Sequence, residues 1–427
     1  MYKRQKYDNL VKHLGPGLLL ASTAIGASHL VLSTRAGAHH GLIFFGIVIF
    51  VMVIKYPFYS YAPKYTALTG KSLITAYAEQ GQWALLLFFL IIGLQMFFMV
   101  SALGAVCMGL LMVILKLPFQ PSIVLISFMS ITALILILGK YRFLKKTILF
   151  ISILLLLTIV LILFFVLLEG PVHRIDTVAI DSFTKGSGLI LLISLLGWMP
   201  SGMEATAMHS IWIQKNEEEQ SNTIERKEKY HLYVFDFKLG YVLTGILALV
   251  FVLIGTYTLF GSGKTIDGNT VAFTEKLVLV FTQYLGEWSF AFIGFIALGA
   301  MYGTLVSLWD ALARCFLECI VVYKEQNRIL VDRNAFLNNW YRILIPILGL
   351  GGGFIFILFK DSVIKILEFI TITSFVLSPI LGFLNWRAMQ SKSIPETFRT
   401  SKRENIFAFT ALLCLLAIGI FYLVTII

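Results

Sequence analysis

Long apolar runs are the feature that most constrains how this sequence of 427 residues can fold. A helix needs about 20 apolar residues to cross the hydrocarbon core of a bilayer. Hydrophobic residues make up 58% of the chain and charged residues 13%, against roughly 45–50% and 25% in soluble domains. The sequence therefore predicts an all-α, multi-pass membrane protein. Its eleven predicted transmembrane helices lie near residues 14–38, 42–66, 83–115, 121–139, 145–168, 187–213, 234–260, 287–322, 342–359, 362–386 and 405–427.

The positions of the basic residues predict the orientation of the chain. If the N-terminus is cytoplasmic, most of the 34 Lys and Arg residues lie in cytoplasmic segments, as the positive-inside rule requires. The net charge of +11 then indicates orientation in a plasma (inner) membrane and contact with anionic lipid, and not nucleic-acid binding. The loops are short, so we expect residues 1–427 to form one transmembrane domain.

Enzymatic chemistry finds no support in the sequence. It contains no phosphate-binding Gly loop with a Lys, no nucleophile elbow and no HExxH zinc motif. The four cysteines lie in apolar runs without a CxxC pair. We therefore expect a protein that is not an enzyme and that has no resident cofactor.

A short stretch of the first span recurs in the sixth. The first reads GPGLLLASTAIGASH (15–29) and the sixth reads GSGLILLISLLGWMP (186–200). Spans one and six are the expected partners if residues 14–168 and 187–386 are inverted five-helix repeats, with 405–427 as an extra helix. Identical pairs include Gly15 and Gly186, Gly17 and Gly188, Leu18 and Leu189, and Gly26 and Gly197.

Both stretches continue with small or helix-breaking residues, which predicts a break in each helix. A break frees carbonyl and N–H groups inside the membrane, and these groups need partners. Freed carbonyls bind a cation, and the N-terminus of a half-helix binds an anionic group, so paired breaks indicate a transporter's substrate site. The candidate site residues are Gly26, Ala27, Ser28 and His29 in the first break, and Met199, Pro200, Ser201, Met203 and Glu204 in the second.

These breaks lie in a chain that resembles the NRAMP family of proton-coupled divalent-metal transporters. GPGLLLASTAIGASHLVLSTRAGA (15–38) is similar to the family's first helix, and ALTGKSLITAYAEQ (67–80) to the segment after its second. LTGILALVFVLIGTYTLFGSG (243–263) and SFVLSPILGFLNWR (374–387) resemble its seventh and tenth helices. The resemblance covers most of the chain. It implies a LeuT-type fold of the APC superfamily, a 5+5 inverted repeat whose helices 1 and 6 are discontinuous.

The family's metal-binding motifs are altered in this chain. The family's Asp-Pro-Gly-Asn in the first break corresponds to residues 26–29, which lack a carboxylate. Its Met-Pro-His in helix 6 aligns either with residues 199–201 or, when anchored on His209, with Met203 and Glu204 at the Pro and His positions. Under either alignment the thioether-plus-aspartate set is incomplete, so the chain resembles divergent members of the family.

The resemblance implies a secondary active transporter that imports a divalent metal cation, Mn/Fe-like or Mg-like, with a proton as candidate coupling ion and a monomer as the expected state. Glu204 and His29 are the candidate metal ligands. Mg²⁺ needs only one or two carboxylates, whereas softer metals prefer imidazole or sulfur. Two alternatives stay open: a LeuT-type transporter of a small organic solute such as an amino acid, and a non-transporting or channel-like relative.

Other charged or titratable residues in the spans are candidates for a proton path or gate. Glu204 and His209 lie in span six, and Asp310 and Arg314 lie four residues apart in span eight. The spacing of Asp310 and Arg314 predicts an ion pair on one helix face. Lys55, near the end of span two, is expected to snorkel to the cytoplasmic interface; the alternative is a fixed positive charge in the substrate path.

Overall fold

The computed structural model describes residues 15–139, 141–175, 180–220, 225–263, 266, 269–283, 285–359 and 362–426. Helices make up most of this described chain. A π-helical segment, Ile25–Ser33, joins the first two helices, and a short 3₁₀ turn, Glu396–Phe398, precedes the last. The helices are α1 (Pro16–Ala24), α2 (Thr34–His40), α3 (Ile43–Thr69), α4 (Leu73–Gln80), α5 (Gln82–Leu115), α6 (Pro121–Ile137), α7 (Tyr141–Glu169), α8 (Asp181–Thr184), α9 (Gly186–Trp198), α10 (Ala205–Gln220), α11 (Arg226–Leu259), α12 (Thr270–Thr282), α13 (Ser289–Gln326), α14 (Arg333–Leu358), α15 (Val363–Ala388) and α16 (Lys402–Ile426).

Each predicted span coincides with one helix or with a broken pair of helices. In the described chain, seven helices are long and apolar enough to cross a membrane, and the bent pair of the first span makes up to eight. The other predicted spans correspond to shorter described apolar helices, Pro121–Ile137, Ile153–Glu169 and Gly186–Trp198. The number eleven, the cytoplasmic N-terminus, the single domain and the repeat boundaries stay predictions.

The surface of the helical bundle is apolar, as a protein in lipid requires. Large aliphatic side chains point outward, such as Leu90 of α5 and Leu350 of α14, which are 58% and 65% exposed. Charged side chains lie inside instead, among them Lys55, Glu204 and Asp236, which are at most 2% exposed. Intramembrane charges face the interior of a bundle because hydrocarbon cannot solvate them.

The broken first helix packs closely along α11 through glycines. A Cβ at Gly17 would collide with the backbone of Asp236, and a Cβ at Gly240 would collide with the Gly17 carbonyl. In the second half, a Cβ at Gly37 or Gly255 would collide with the backbone of the facing helix. Small residues allow this backbone approach, which drives helix association in lipid. Both α1 and α2 therefore lie directly against α11.

The carboxylate of Asp236 holds the beginning of α1. Its Oδ1 accepts a hydrogen bond from the Gly15 N–H at 3.2 Å, and its Oδ2 accepts one from the Gly17 N–H at 2.5 Å. The first N–H groups of a helix have no partner within the helix and carry partial positive charge, so a carboxylate stabilises them. The sequence alone does not reveal this contact, because it joins residues more than 200 positions apart in the chain.

We expect Gly255→Ala to lower the melting temperature of the purified protein, because the added Cβ would collide with the Thr34 carbonyl. Overpacking of this kind costs about 1–3 kcal/mol. Gly46→Ala is the matched control, since nothing lies within 4 Å of a Cβ at that position. Thermal unfolding in detergent measures both; equal melting temperatures for the two variants would contradict the close packing.

Candidate binding site at the two broken helices

Two helices are interrupted where the sequence predicts. In the first, Gly26 has a non-helical backbone with ψ of −119°, and the two halves of the helix meet at 42°. In the second, α9 ends at Trp198 and α10 begins at Ala205. Pro200 lacks an N–H group and Gly202 tolerates irregular backbone, which explains the interruption locally.

The two breaks lie against each other. The Ser28 hydroxyl is 3.4 Å from the Pro200 carbonyl oxygen, and it also lies 2.5 Å from the Ala24 carbonyl oxygen of its own helix. Gly26 faces α13, where a Cβ would come within 3.0 Å of the Thr304 side chain. The predicted partnership of spans one and six therefore holds at the level of direct contact.

Glu204 lies at the second break, immediately before α10. Its side chain is 2% exposed, and its Oε1 accepts a long hydrogen bond, 3.5 Å, from the Ser374 hydroxyl of α15. Its Oε2 has no hydrogen-bond partner among the residues that the structure describes. The carboxylate folds over Gly202, where any Cβ would collide with it. One buried carboxylate oxygen is thus without a partner in the described chain, and it lies at the positive end of the α10 dipole.

Ser374 joins Glu204 to two further helices. Its hydroxyl oxygen accepts hydrogen bonds from Trp198 Nε1 of α9 at 3.1 Å and from Gln95 Nε2 of α5 at 3.2 Å. Gln95 is fully buried. Sequence reasoning missed both Ser374 and Gln95. The signal for Gln95 was a lone amide in an apolar run, which in a membrane helix needs a partner inside the bundle.

Lys55 of α3 lies at the same break. Its side chain is fully buried, and its Nζ donates to the carbonyl oxygens of Leu196 and Gly197, at 2.5 and 2.9 Å. The prediction that Lys55 snorkels to the cytoplasmic interface is therefore wrong. The last carbonyls of α9 have no donor within the helix and carry partial negative charge, so they bind the ammonium group inside the protein.

Tyr59, one turn after Lys55 on α3, binds carbonyls in the middle of the same break. Its hydroxyl lies 2.6 Å from the Ser201 carbonyl oxygen and 2.7 Å from the Gly202 carbonyl oxygen. Its single proton is shared between these two acceptors. Lys55 and Tyr59 thus provide donors for four carbonyls that the break of span six exposes.

His29 is fully buried and points toward α11. Its Nδ1 is 2.6 Å from the Ala24 carbonyl oxygen and 2.7 Å from the Ser28 hydroxyl, and its Nε2 is 2.8 Å from the Thr244 carbonyl oxygen. Both ring nitrogens are therefore engaged in this conformation, where the imidazole attaches the first break to α11. Its role as a metal ligand stays a prediction.

The remaining candidates at the breaks supply backbone and thioether groups. Met199 and Met203 are fully buried, and Ala27 lies within the π-helical segment. No three side chains of His, Cys, Asp or Glu come together to hold a metal in the described ranges. A cation at this site would depend on Glu204 together with carbonyl oxygens or water, a set that hard divalent cations accept.

The other candidates for a proton path or gate lie within α10 and α13. Arg314 Nε donates to both carboxylate oxygens of Asp310 at 2.9 Å, which confirms the predicted ion pair. Tyr341 also donates to Asp310, at 2.6 Å. His209 is buried beside Phe237 of α11, with ring centroids 6.0 Å apart, and neither of its nitrogens has a hydrogen-bond partner in the described part of the chain. Roles for these residues in a proton path or gate stay predictions.

Comparison with protein families gives one match that spans nearly the whole chain. Residues 17–425 match the model of the family described as "Natural resistance-associated macrophage protein-like". A relative from Pasteurella multocida (strain Pm70), "Uncharacterized protein PM0681", is 30% identical over 377 residues, which are 87% of this chain and 83% of the relative. These matches confirm the family resemblance seen in the sequence.

Comparison with solved structures confirms the LeuT-type fold. A point mutant of the manganese transporter of Eremococcus coleocola aligns with a TM-score of 0.71 at 12% identity, over 97% of this chain and 86% of that one. MhsT in complex with L-phenylalanine aligns with a TM-score of 0.61 at 13% identity, over 96% and 98%. Mhp1, a nucleobase-cation-symport-1 family transporter, gives 0.58 at 13%, over 96% and 91%. At such low identity these likenesses concern the fold alone.

We expect Tyr59→Phe to destabilise the protein, because it leaves the Ser201 and Gly202 carbonyls without this donor. A buried acceptor that loses its partner costs about 1–3 kcal/mol. Tyr56→Phe is the matched control on the same helix, since the described chain shows no hydrogen bond from the Tyr56 hydroxyl. Melting temperatures in detergent test the difference, and a Tyr59→Phe protein as stable as the Tyr56→Phe protein would argue against the contact.

Proposed function

The chain belongs to the natural resistance-associated macrophage protein-like family, and from this premise we propose that it is a secondary active transporter. Its proposed substrate is a divalent metal cation, which it carries inward across the membrane by alternating access. The cation would bind between the two broken helices, with Glu204 as its carboxylate ligand. The proposal includes a plasma-membrane location and a monomer that has neither an enzymatic activity nor a nucleic-acid partner.

The observation that carries this proposal is the free Oε2 of the buried Glu204 carboxylate. A carboxylate inside a membrane bundle is costly to hold and marks ion or substrate pathways. One carboxylate, carbonyl oxygens and water suit a hydrated hard cation such as Mg²⁺ or Mn²⁺. The manganese transporter of Eremococcus coleocola, a solved structure of the same fold, supports this class of substrate.

A second candidate substrate is a small organic solute such as an amino acid. Lys55 favours it, because its ammonium group lies at the same break as Glu204 and donates two of its three N–H bonds to carbonyls. A solute with a carboxylate and an N–H group would match an ammonium donor and a carboxylate acceptor. MhsT, which shares the fold, is solved in complex with L-phenylalanine.

Uptake into proteoliposomes tests the main proposal. We expect Mn²⁺ or Mg²⁺ uptake by the unchanged protein and at least a tenfold loss, about 1.4 kcal/mol, in Glu204→Gln. The variant keeps the shape of the side chain but removes the charge that attracts the cation. Glu225→Gln, a change at an exposed position before α11, is the matched control and should transport normally.

Unreduced cation uptake by Glu204→Gln would exclude Glu204 as a ligand of the cation. Three other outcomes of this assay would contradict a carrier of divalent cations. Saturable uptake of an amino acid, with no uptake of any divalent cation, would favour the second candidate. Uptake of neither class would favour a non-transporting relative, and non-saturable ion flux would favour a channel.

Proton coupling is a separate part of the proposal. If each cation enters together with protons, Mn²⁺ added outside should acidify the lumen of proteoliposomes that contain a pH-sensitive dye. We expect this acidification to disappear in Glu204→Gln together with the cation uptake. Cation uptake with an unchanged dye signal would show an uncoupled carrier and would leave the substrate assignment intact.

A further inference from the structure

The ammonium group of Lys55 lies where a cation would be expected to bind. The carbonyl end of a half-helix attracts positive charge, and in LeuT-type transporters unwound carbonyls coordinate ions. Here the end of α9 is already bound by Lys55, through the carbonyls of Leu196 and Gly197. The amine is attached to α3 and therefore cannot leave with the substrate.

Lys55 and Glu204 form one electrostatic unit. They lie at the two ends of one break: the Lys55 ammonium binds the Leu196 and Gly197 carbonyls before it, and the Glu204 carboxylate lies over Gly202 after it. Opposite charges this close in a buried region attract each other, although no direct ion pair joins them within the described chain. Tyr59 lies one helical turn after Lys55 on α3, and its hydroxyl binds the Ser201 and Gly202 carbonyls just before Glu204. With both groups ionised, the unit has no net charge before the substrate binds.

A net charge of zero limits what this site can accept. A divalent cation bound at Glu204 would leave two uncompensated positive charges in a buried region, and uncompensated buried charge is costly. Coulomb repulsion between the cation and a nearby ammonium is stronger inside a protein than in water, because the effective dielectric constant is lower. Removing the ammonium charge should therefore strengthen cation binding.

We propose that Lys55 is a specificity-determining residue whose ammonium group permanently occupies the carbonyl end of α9 and limits the positive charge that the Glu204 site accepts. This inference rests on the proposed function, because it concerns the same site. It also implies that no second inorganic cation binds the Leu196 and Gly197 carbonyls.

Binding of Mn²⁺ to the purified full-length protein in detergent tests this inference, with free Mn²⁺ measured by electron paramagnetic resonance. We expect Lys55→Gln, which keeps N–H donors but removes the charge, to bind Mn²⁺ at least about tenfold more tightly than the unchanged protein. Lys55→Arg, which keeps the charge, should stay within about threefold of it. Lys238→Gln, at an exposed position of α11, controls for a general loss of positive charge.

A purely structural Lys55 would lower the melting temperature when replaced and would leave Mn²⁺ affinity unchanged or weaker. If the unchanged protein binds Mn²⁺ and Lys55→Gln shows no gain, the inference fails and the proposed function stands. If only Lys55→Gln binds Mn²⁺, the inference holds and divalent transport by the natural protein is overturned. If neither binds, both are overturned.

The double variant Lys55→Gln with Glu204→Gln locates the effect. We expect it to lose the gain in Mn²⁺ affinity, because the carboxylate is the ligand that the ammonium opposes. A gain that persists without Glu204 would place the cation elsewhere and would overturn the inference. Melting temperatures of all variants identify any protein that fails to fold, and Lys55→Met then replaces Lys55→Gln as the uncharged variant.

Discussion

Backbone groups freed by a broken helix must find partners inside the protein, and the centre of this molecule is organised by that requirement. At the second break α3 provides most of them, through the Lys55 ammonium group and the Tyr59 hydroxyl. At the first break, Ser28 and His29 bind carbonyls of their own helix, of the second break and of α11. Glu204 Oε2 has no hydrogen-bond partner within the described chain.

The fold was largely predictable, because its determinants are local in the sequence. A membrane helix satisfies its own backbone, so its presence depends on the apolar run that contains it. The breaks were equally visible, since Gly26 and Pro200 act on the backbone where they stand. The internal sequence repeat predicted that spans one and six are partners, and their breaks are in contact through Ser28 and Pro200.

The site was predictable only in part, because its contacts join residues distant in the chain. Glu204 could be found as a carboxylate beside a break, but its hydrogen bond to Ser374 crosses 170 positions. The prediction for Lys55 was wrong. A long charged side chain near a helix end usually extends to the membrane interface, and only the three-dimensional structure shows that the carbonyl end of α9 lies beside the Lys55 ammonium group. The contact between His29 Nε2 and the Thr244 carbonyl likewise depends on how α11 packs against the first break, which the sequence does not show.

The close packing of α1 and α2 against α11 limits how this protein can move. If α1 moved away from α11 alone, the hydrogen bonds from the Gly15 and Gly17 N–H groups to the Asp236 carboxylate would break in a region of low polarity. In the first turn of α11, Arg226 and Lys229 form ion pairs with Glu217 of α10, so α10 is attached to α11 as well. Separation of α1 from its neighbours at this end of the bundle would therefore require α1, α10 and α11 to move as one rigid group, or water to enter the contact between Gly15 and Asp236.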